Sequence, residues 1–303
     1  MIIIGIGLTS IGKLMELIKV NEENFNKIIA LKTKDEKLGY VDSALYSIAE
    51  CFLDYSHMDA FGIYNGDEFI GFTSIFAKDN FGQIINFFIK DKFQNKTYGT
   101  RAVEVLIQLF KDRYKVDFVS VGIYRENKRA FGFWKRLGFI DTGNIEGDYC
   151  YYRKPIARFI ISDSLYLIKY LSAYQITLTW YQDRETVKMV DNVDYAYSLD
   201  DLKRMYNYLS NNGDLFYIAY PNKLIGDCAI FDDNMVAIVI SKEYRGRDIG
   251  SKVLNKLISY AREKGLAYLK TEIYDFNHIS RKLFYKFGFK SQGNNIYKLD
   301  LKN

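Results

Sequence analysis

Two short stretches of the sequence contain the residue types of an anion-binding loop. The first is FQNKTYGT at residues 93–100, and the second is YRGRDIGS at residues 244–251. Each follows an apolar, strand-like run and opens a long helical run. That arrangement directs unpaired backbone N–H groups and the positive end of a helix dipole at a phosphate. The alternative for either stretch alone is an ordinary strand-to-helix connection, in which glycine and polar residues are also common.

The two stretches belong to an internal repeat. The second lies 151 positions after the first, and NKRAFGFWKRLGF (127–139) is followed 150 positions later by NHISRKLFYKFGF (277–289). Upstream, YNGDEFIGF (64–72) matches YPNKLIGD (220–227), and both predict hairpins with a polar turn. Landmarks in one order at nearly one offset indicate two copies of one domain.

Each copy is predicted to contain a strand, one or two helices, a hairpin, a long strand, the loop, a helix, a strand, a second helix and one or two final strands. The predicted boundaries are a leader at 1–13, a first domain at 14–155 and a second domain at 156–303. The predicted fold class is α/β (α+β), with each domain a mixed, mostly antiparallel sheet flanked by helices. GLTSIGK at 7–13 resembles a nucleotide-binding phosphate loop, but Leu14 stands where Ser or Thr would hold magnesium, so a disordered or strand-like leader is expected.

Composition excludes several classes of function. The net charge of +5 comes from 42 basic and 37 acidic residues without a basic stripe, so no nucleic-acid partner is expected. With 2 histidines and 3 cysteines at no metal-binding spacing, neither a metal site nor a disulfide framework is expected. No apolar run reaches the ~18 residues of a membrane span, and the opening lacks the pattern of a signal peptide. A cytoplasmic protein without a membrane partner is expected, either a monomer of two pseudo-equivalent domains or a homodimer.

Both copies resemble the GNAT superfamily of acyl-CoA N-acyltransferases, over nearly the whole chain after the leader. The family's loop, Q/R-x-x-G-x-G/A, is matched at its first and last positions by Gln94 and Gly99, and again by Arg245 and Gly250. The family's second motif, N-x-x-A-…-G-F, is matched in full by the first copy, and in the second copy Ser280 replaces the alanine. The first half resembles the diamine and spermidine N-acetyltransferase branch, and the second half resembles the aminoglycoside and ribosomal-protein N-acetyltransferase branch.

The resemblance implies that the cofactor is acetyl-CoA, with the backbone amides of the loops holding the coenzyme A pyrophosphate. The middle glycine of the loop is replaced by Thr97 in one copy and Asp248 in the other. A carboxylate at that position would repel the pyrophosphate unless Arg245 and Arg247 pair with it, so the first loop is expected to be the better coenzyme site. The implied coenzyme-binding residues are Phe88, Ile89, Gln94, Asn95, Lys96, Thr97, Tyr98, Gly99, Thr100, Asn127 and Trp134 in the first copy, and Val239, Ile240, Arg245, Gly246, Arg247, Asp248, Ile249, Gly250, Ser251, Asn277 and Phe284 in the second.

The residues that would catalyse acetyl transfer are not evident from the sequence. The reaction needs a neutral amine, a polarised thioester oxygen and a proton for the leaving thiolate. Many relatives carry a tyrosine seven residues after the motif asparagine, where this chain has Trp134 and Phe284. Some carry a glutamate early on the long strand, where it has Ile85 and Val236. The tyrosines that remain as candidates are Tyr98, Tyr124 and Tyr285.

Two groups of residues are candidates for binding the acceptor. Glu50 and Asp54 are four apart, so on a helix they would share a face that could receive a polycationic amine, or form a solvated acidic face. Trp180, Asp183 and Glu185 correspond to an acceptor-lining segment in relatives, or to a buried tryptophan beside helix-capping acids. The first hypothesis is an N-acetyltransferase that moves acetyl from acetyl-CoA to a primary amine of a small, polyamine-like or aminoglycoside-like acceptor. The second is a non-catalytic acetyl-CoA-binding protein in which one or both domains serve as a structural or regulatory scaffold.

Overall fold

The protein is represented by a computed structural model that describes residues 3–5 (backbone only), 14–220 and 223–301. The GLTSIGK segment therefore lies outside the described residues. Two compact units make up the chain. Unit 1 comprises the described residues up to Asp141 together with Ile145–Ile156, and unit 2 comprises Thr142–Asn144 together with the described residues from Ala157 onward.

Unit 1 contains eight strands and five helices among the described residues. The strands are β1 (Ile3–Gly5), β2 (Met15–Lys19), β3 (Met58–Asn65), β4 (Glu68–Lys78), β5 (Phe81–Ile89), β6 (Phe118–Tyr124), β7 (Ile140–Glu146) and β8 (Tyr149–Pro155). The helices are α1 (Phe25–Ile29), α2 (Lys34–Lys37), α3 (Ala44–Leu53), α4 (Tyr98–Leu109, continued by a π-helical turn at Phe110–Tyr114) and α5 (Lys128–Arg136), with a 3₁₀ turn at Asp91–Phe93.

One sheet of order β1-β2-β3-β4-β5-β6-β8-β7 runs through unit 1. Its strand pairs are antiparallel except for β5 and β6, which are parallel only from Phe81↔Phe118 to Ile84↔Val121. Beyond that register the two strands separate. The cause is a bulge on β5: Ser74 of β4 pairs with Asn86 and Ile75 pairs with Ile84, which leaves Ile85 as an extra residue. A bulge bends its strand, so the last residues of β5 diverge from β6 and open a cleft.

Helices cover both faces of this sheet. On one face, α4 buries five apolar residues spaced along one side, as expected of an amphipathic helix: Ala102, Val103, Val105, Leu106 and Leu109. On the other face, Ile28 of α1 and Ala44 of α3 pack with Phe72 and Phe88 of the sheet. The Ser43 hydroxyl accepts a hydrogen bond from the Tyr46 N–H and so fixes the start of α3.

Unit 2 repeats this order with a more divided sheet. Its strands are β9 (Phe159–Ile160), β10 (Tyr166–Lys169), β11 (Gly213–Ala219), β12 (Leu224–Phe231), β13 (Val236–Ile240), β14 (Tyr268–Glu272), β15 (Lys290–Gly293) and β16 (Ile296–Asp300). Its helices are α6 (Tyr174–Tyr181), α7 (Arg184–Asp191), α8 (Leu199–Asn211), α9 (Ile249–Glu263) and α10 (His278–Lys286), with a 3₁₀ turn at Lys242–Tyr244. The strands form two sheets, β13-β12-β11-β10-β9 and β14-β16-β15, which meet at the isolated parallel bridge Met235↔Lys270.

The predicted order of elements is confirmed from the hairpin onward in both copies. Before the hairpin each unit contains three helices rather than one or two, because capping residues divide the segments: Thr33 begins α2, Asp183 begins α7 and Ser198 begins α8. The single sheet predicted for the second copy is also divided, since β13 and β14 separate immediately beyond their one bridge. None of the described helices is long and apolar enough to cross a bilayer.

The hairpin motif that repeats in the sequence contains a glycine with the same role in each unit. A Cβ on Gly71 of β4 would lie 2.4 Å from the Phe88 carbonyl oxygen, and one on Gly226 of β12 would lie 2.1 Å from the Val239 carbonyl oxygen. Only glycine allows this close approach of the neighbouring strand. The repeated glycine therefore lies where the strand that precedes each loop passes closest to the neighbouring strand of the hairpin.

Candidate active site

The separation of β5 and β6 in unit 1 creates a cleft of about 500 Å³. The last residues of β5 form one wall, and Val121 to Tyr124 of β6 form the other. The loop at Gln94–Lys96 also lines the cleft, and so do Tyr40 and Asp42 of the connection between α2 and α3. The cleft thus joins the predicted coenzyme loop to a region that the sequence did not indicate.

Two backbone amides of β5 face this cleft. Lys90 donates its N–H to the Ile70 carbonyl of β4 at 2.8 Å. Since N–H directions alternate along a strand, the Phe88 N–H also points to β4, whereas those of Phe87 and Ile89 point toward the separated β6. Phe88 was predicted to bind the coenzyme, but its amide belongs to the sheet and its ring packs against Phe72 with the centroids 5.5 Å apart. The same alternation in unit 2 directs the amide of Val239 to β12, because Ser241 donates to the Ile225 carbonyl.

The first residue of each loop anchors the loop to the preceding strand. In unit 1, Gln94 Nε2 donates to the Ile89 carbonyl at 2.8 Å. In unit 2, Arg245 Nε donates to the Ile240 carbonyl at 2.9 Å. Arg129 then fixes Gln94 from the opposite side of the cleft, donating to its Oε1 at 2.9 Å. The equivalence explains why either Gln or Arg is suited to this position: both carry a donor long enough to reach that carbonyl.

The N-terminus of α4 leaves backbone N–H groups available to an anion. The Thr97 side chain makes no capping hydrogen bond to the first turn of this 12-residue helix. Lys96 lines the cleft beside it and adds positive charge. A Cβ on Gly99 would come within 3.3 Å of the Phe133 ring, so a larger residue there would crowd the approach. Free amides, a cation and a close-packed glycine fit the pyrophosphate of coenzyme A.

The loops differ at the position of the missing glycine. Thr97 has a right-handed backbone (φ −76°), and the left-handed residue of the first loop is Asn95 (φ 57°). In the second loop Asp248 itself is left-handed (φ 58°), as is Gly246 (φ 74°). Asp and Asn tolerate this region better than other non-glycine residues, which suits Asn95 and Asp248 to their positions, whereas Thr97 has an ordinary right-handed backbone.

The arginines of the second loop do not form the pairing with Asp248 that would relieve repulsion of a pyrophosphate. Arg245 donates instead to the Thr186 hydroxyl at 2.5 Å, and Arg247 donates to the Glu243 carbonyl at 3.0 Å. The carboxylate lies 3.9 Å from Lys286 Nζ. A hydrogen bond from the Ser251 hydroxyl holds the pKa of Asp248 below its usual range. An exposed negative charge therefore remains at the helix N-terminus of the second loop.

Three tyrosines, namely Tyr40, Tyr124 and Tyr149, line the cleft in unit 1. The rings of Tyr40 and Tyr124 have centroids 5.6 Å apart, and those of Tyr124 and Tyr149 have centroids 5.7 Å apart. Asp42 lines the cleft beside them. Burial and then the charge of Asp42 raise the pKa of Tyr149, so this phenol stays protonated. The combination of aromatic faces and a carboxylate is suited to binding an ammonium group.

The carboxyl of Glu50 is close enough to Asp42 for the two charges to interact. Burial and then the charge of Asp42 raise the pKa of Glu50. Its Oε2 is buried and has no hydrogen-bond partner among the described residues. The prediction that Asp54 shares this face is wrong, because α3 ends at Leu53 and Asp54 has a non-helical backbone. Asp54 instead accepts a hydrogen bond at 2.8 Å from His57 Nδ1.

The residues at the position of the absent family tyrosine and the three candidate tyrosines lie in different surroundings. Trp134 is buried and packs edge-on against Phe139 with the centroids 4.9 Å apart, and Phe284 makes the equivalent contact with Phe289. Tyr285 is half exposed and packs against Tyr297 of β16. Tyr98 packs against Phe93 at the start of α4. Of the three tyrosines named from the sequence, Tyr124 is the one that lines the cleft.

In unit 2 the corresponding groups are bonded within the unit. Asn277 caps α10 and donates through Nδ2 to the Met189 carbonyl of α7 at 3.1 Å. The predicted acceptor-binding acids are also paired: Lys242 Nζ lies 2.9 Å from Glu185 and 3.9 Å from Asp183. Despite partial burial, a hydrogen bond from Thr186 holds the pKa of Asp183 below its usual range.

Trp180, the third predicted acceptor residue of unit 2, is buried. It packs edge-on against Tyr217 of β11 with the ring centroids 6.2 Å apart. Trp180 therefore lies in the core of unit 2, which is the alternative to lining an acceptor site.

The model of the acetyltransferase (GNAT) family matches the chain twice, at residues 25–139 and at residues 174–289. The chain belongs to this family. Each match begins near the first helix of a unit and ends at the glycine–phenylalanine pair of the second motif. The two GNAT units are thus a tandem repeat of one fold.

Relatives of this GNAT protein include amine acetyltransferases. It is 25% identical to the spermine/spermidine N(1)-acetyltransferase of Bacillus subtilis (strain 168) over an alignment of 138 positions, which covers 42% of this chain and 88% of the relative. The spermidine N-acetyltransferase of Vibrio cholerae, solved with CoA and spermine, is 16% identical with a TM-score of 0.40, covering 45% of this chain and 94% of that one. An acetyltransferase of Salmonella typhimurium that modifies the N-terminal serine of ribosomal protein L7/L12 is 15% identical with a TM-score of 0.40, covering 51% and 99%.

Sequence reasoning missed several residues of the first GNAT cleft. Tyr40, Asp42 and Tyr149 line it, and Arg129 donates to both Gln94 and the Asp35 carboxylate, the latter at 2.7 Å. They lie on the α2–α3 connection, α5 and β8, and no local motif joins these segments. Within the described parts of the chain, no group of three or more His, Cys, Asp or Glu side chains could hold a metal ion.

Proposed function

We propose that unit 1 transfers acetyl from acetyl-CoA to a primary amine of a small acceptor that carries a second amine, as polyamines and aminoglycosides do. The observation that carries this proposal is the cleft itself. Its lining combines the loop that leads to the free N–H groups of a helix N-terminus with Asp42 and three tyrosine rings. An anion site and a cation site in one cleft suit a phosphate-bearing donor and an amine acceptor.

Different residues of unit 1 would bind different parts of the donor. The loop amides and Lys96 would hold the pyrophosphate, and the Gln94–Arg129 bond keeps the loop in place. Bound acetyl-CoA supplies the thioester that is cleaved. The N–H groups of Phe87 and Ile89, which face the cleft, would hold the thioester oxygen and favour negative charge on it.

The residues around Asp42 would bind and orient the acceptor, and only its neutral amine can attack. Asp42 and Glu50 would bind one ammonium of the acceptor, since neither carboxyl has an ion-pair partner among the described residues. The tyrosine faces would stabilise the same cation. The other amine must be neutral to attack. Tyr124 lies in the cleft and would donate a proton to the leaving thiolate, replacing the tyrosine that is absent at Trp134. The proton that the attacking amine gives up would restore the phenol by way of solvent.

A second role is proposed for unit 2, namely a structural or regulatory scaffold that does not turn over. Its motif asparagine donates to the Met189 carbonyl, and its acceptor-side acids are paired with Lys242. Asp248 leaves a carboxylate at the helix N-terminus. Repulsion of a pyrophosphate at an effective dielectric of ~20 and ~6 Å costs roughly 3 kcal/mol, about a hundredfold in affinity.

Calorimetric titration of acetyl-CoA tests the assignment of the two units. We expect one site per chain that is lost in Gly99→Glu and kept in Gly250→Glu. Two sites, each lost in one variant, would show that unit 2 also binds the donor. Absence of binding by the folded wild type would refute the acetyltransferase proposal.

The acceptor site is tested with Asp42→Asn and the control Asp54→Asn. Asp42 lines the cleft, whereas Asp54 is engaged by His57, so only the first change should affect the amine. Loss of a charge-assisted hydrogen bond is worth ~1.5–3 kcal/mol, so KM for a diamine should rise ~10–100-fold while KM for acetyl-CoA is unchanged. Equal KM values in both variants would contradict this role of Asp42.

A further inference from the structure

The solvent-facing side of α3 consists of apolar residues, and this outer face is defined by Leu45, Tyr46, Ala49, Phe52 and Leu53. Leu45 and Tyr46 are 53% and 56% exposed, and Phe52 and Leu53 are 80% and 84% exposed. Tyr55, two residues beyond the helix, is 84% exposed. At 100° per residue the five positions cover about a third of the helix circumference.

The opposite side of α3 is already packed inside unit 1. Ala44 and Ser47 are buried, and Ile48 and Cys51 contact the cluster that includes Phe72. The one charged residue of the helix is Glu50, whose Oε2 is buried. A helix that is apolar on every side is typical of a position with protein on every side.

The exposed apolar surface is large enough for a dimer contact. With ~200 Å² for each large apolar side chain, the exposed fractions of the outer face and Tyr55 amount to about 700 Å². The largest apolar patch of a typical monomer is ~300–600 Å², and a stable interface needs ~800 Å² from each partner. Contacts of residues around the rim of this face would supply the area that is still needed to reach a stable interface.

The order of residues along α3 is symmetric about Ala49. Two large apolar residues, Leu45 and Tyr46, lie four and three positions before it, and Phe52 and Leu53 lie three and four positions after it. A twofold axis through Ala49 therefore places the first pair of one helix against the second pair of an antiparallel copy. The small alanine at the crossing point permits close approach of the two helices. We propose that the outer face of α3 is the interface of a homodimer, with α3 packed antiparallel to α3 of a second copy.

Charge argues for a protein partner rather than a lipid surface. Residues 38–56 contain no Lys or Arg and include the acids Asp42, Glu50 and Asp54. Helices that lie on anionic membranes carry basic residues beside their apolar face, because the lipid surface is negative. A second copy presents the same uncharged stripe and therefore no opposing charge at its centre. This proposal is independent of the function assigned to either unit.

Sedimentation velocity of the full-length chain measures the association. We expect wild type at ~1–50 μM to sediment as a particle of twice 35.4 kDa. Ala49→Arg and Leu53→Lys each place two cations in the interface, and should weaken the dimer ~100-fold or more. Tyr208→Lys is the matched control, since Tyr208 is 62% exposed on α8 of unit 2. Circular dichroism of each variant should match wild type, because the changed side chains face solvent in one chain.

Ala49→Cys tests the register. Antiparallel packing about Ala49 brings the two cysteines within the ~7 Å between Cα atoms that a disulfide allows, so mild oxidation should give a covalent dimer. Wild type, which retains Cys51, should stay uncrosslinked. A monomeric wild type at ~50 μM, or a dimer unaffected by Ala49→Arg and Leu53→Lys, would overturn the proposal. So would a monomer that co-sediments with phosphatidylglycerol vesicles, which would assign the face to lipid.

Discussion

Replacing Asp227 with asparagine is expected to remove a large pH-dependent contribution to the stability of unit 2. Asp227 lies on β12 and is 4% exposed. Its carboxyl accepts hydrogen bonds from the Tyr181 hydroxyl at 2.9 Å and from the Tyr206 hydroxyl at 2.7 Å. Phe72 occupies the matching position of unit 1, so the polar group is particular to the second copy.

Burial raises the pKa of Asp227 to about 7, although the hydroxyls of Tyr206 and Tyr181 lower it. The folded state therefore holds a proton that the unfolded state releases near pH 4. Stability from this group is fully present below pH 4 and is lost as the pH rises through 7. A shift of about 3 pKa units corresponds to ~4 kcal/mol in total, of which ~2.5 kcal/mol is lost between pH 5 and pH 8.

The positions of the two tryptophans allow the unfolding of unit 2 to be measured separately from that of unit 1. Trp134 lies in unit 1 and Trp180 in unit 2, and the chain has 2 tryptophans. In a Trp134→Phe background, fluorescence during urea unfolding reports on unit 2, where Trp180 contacts Tyr217 of the same cluster. The free energy of unfolding should then be measured at half-unit steps from pH 5 to pH 8, with and without Asp227→Asn.

The difference between the two proteins isolates this carboxyl, because other titrating groups contribute equally to both. We expect Asp227→Asn to gain ~2.5 kcal/mol relative to its parent as the pH rises from 5 to 8. Asp232→Asn, an exposed change on the same unit, should show a constant difference over that range. If the Asp227→Asn difference is also constant to within ~0.5 kcal/mol, the reasoning from burial is refuted.

Three further changes test the packing of the units by chemical denaturation. Gly71→Ala should cost ~2–4 kcal/mol because its Cβ would lie 2.4 Å from the Phe88 carbonyl oxygen, and a mutant as stable as wild type would contradict that contact. Gly132→Ala on α5 should instead stabilise by up to ~1 kcal/mol, since its nearest neighbour is a flexible guanidinium at 3.4 Å. Tyr114→Phe should cost ~1–3 kcal/mol by removing a hydrogen bond to the buried carboxylate of Asp59, an effect that would be absent if solvent replaced the hydroxyl.

The loop that is predicted to bind the coenzyme could be recognised from the sequence because its determinants are local. A strand, a loop that begins with Gln94 or Arg245, and a helix are contiguous, and a helix N-terminus presents free N–H groups wherever it forms. The duplication of these landmarks at one offset predicted two copies of one domain. The same locality made Asn127 and Asn277 recognisable, and both cap the helices that follow them.

The acceptor end could not be predicted in the same way. Glu50 and Asp54 have helical spacing in the sequence, but the helix ends between them. The Asp54 carboxylate forms a hydrogen bond with His57 instead. Element boundaries depend on capping and packing that a periodic pattern does not specify. In the second copy, the loop sequence also gave no sign that α7 would bond Asn277, since the two are 88 residues apart.

The sequence by itself thus determined the repeat and the order of elements from the hairpin onward. Tertiary structure alone decided that Tyr40, Asp42 and Tyr149 line one cleft in unit 1, and that the matching groups of unit 2 are bonded internally. The physical reason is the range of the interactions. Backbone conformation and helix capping act over a few residues, whereas a binding cleft is assembled from side chains on segments that only the packed sheet brings together.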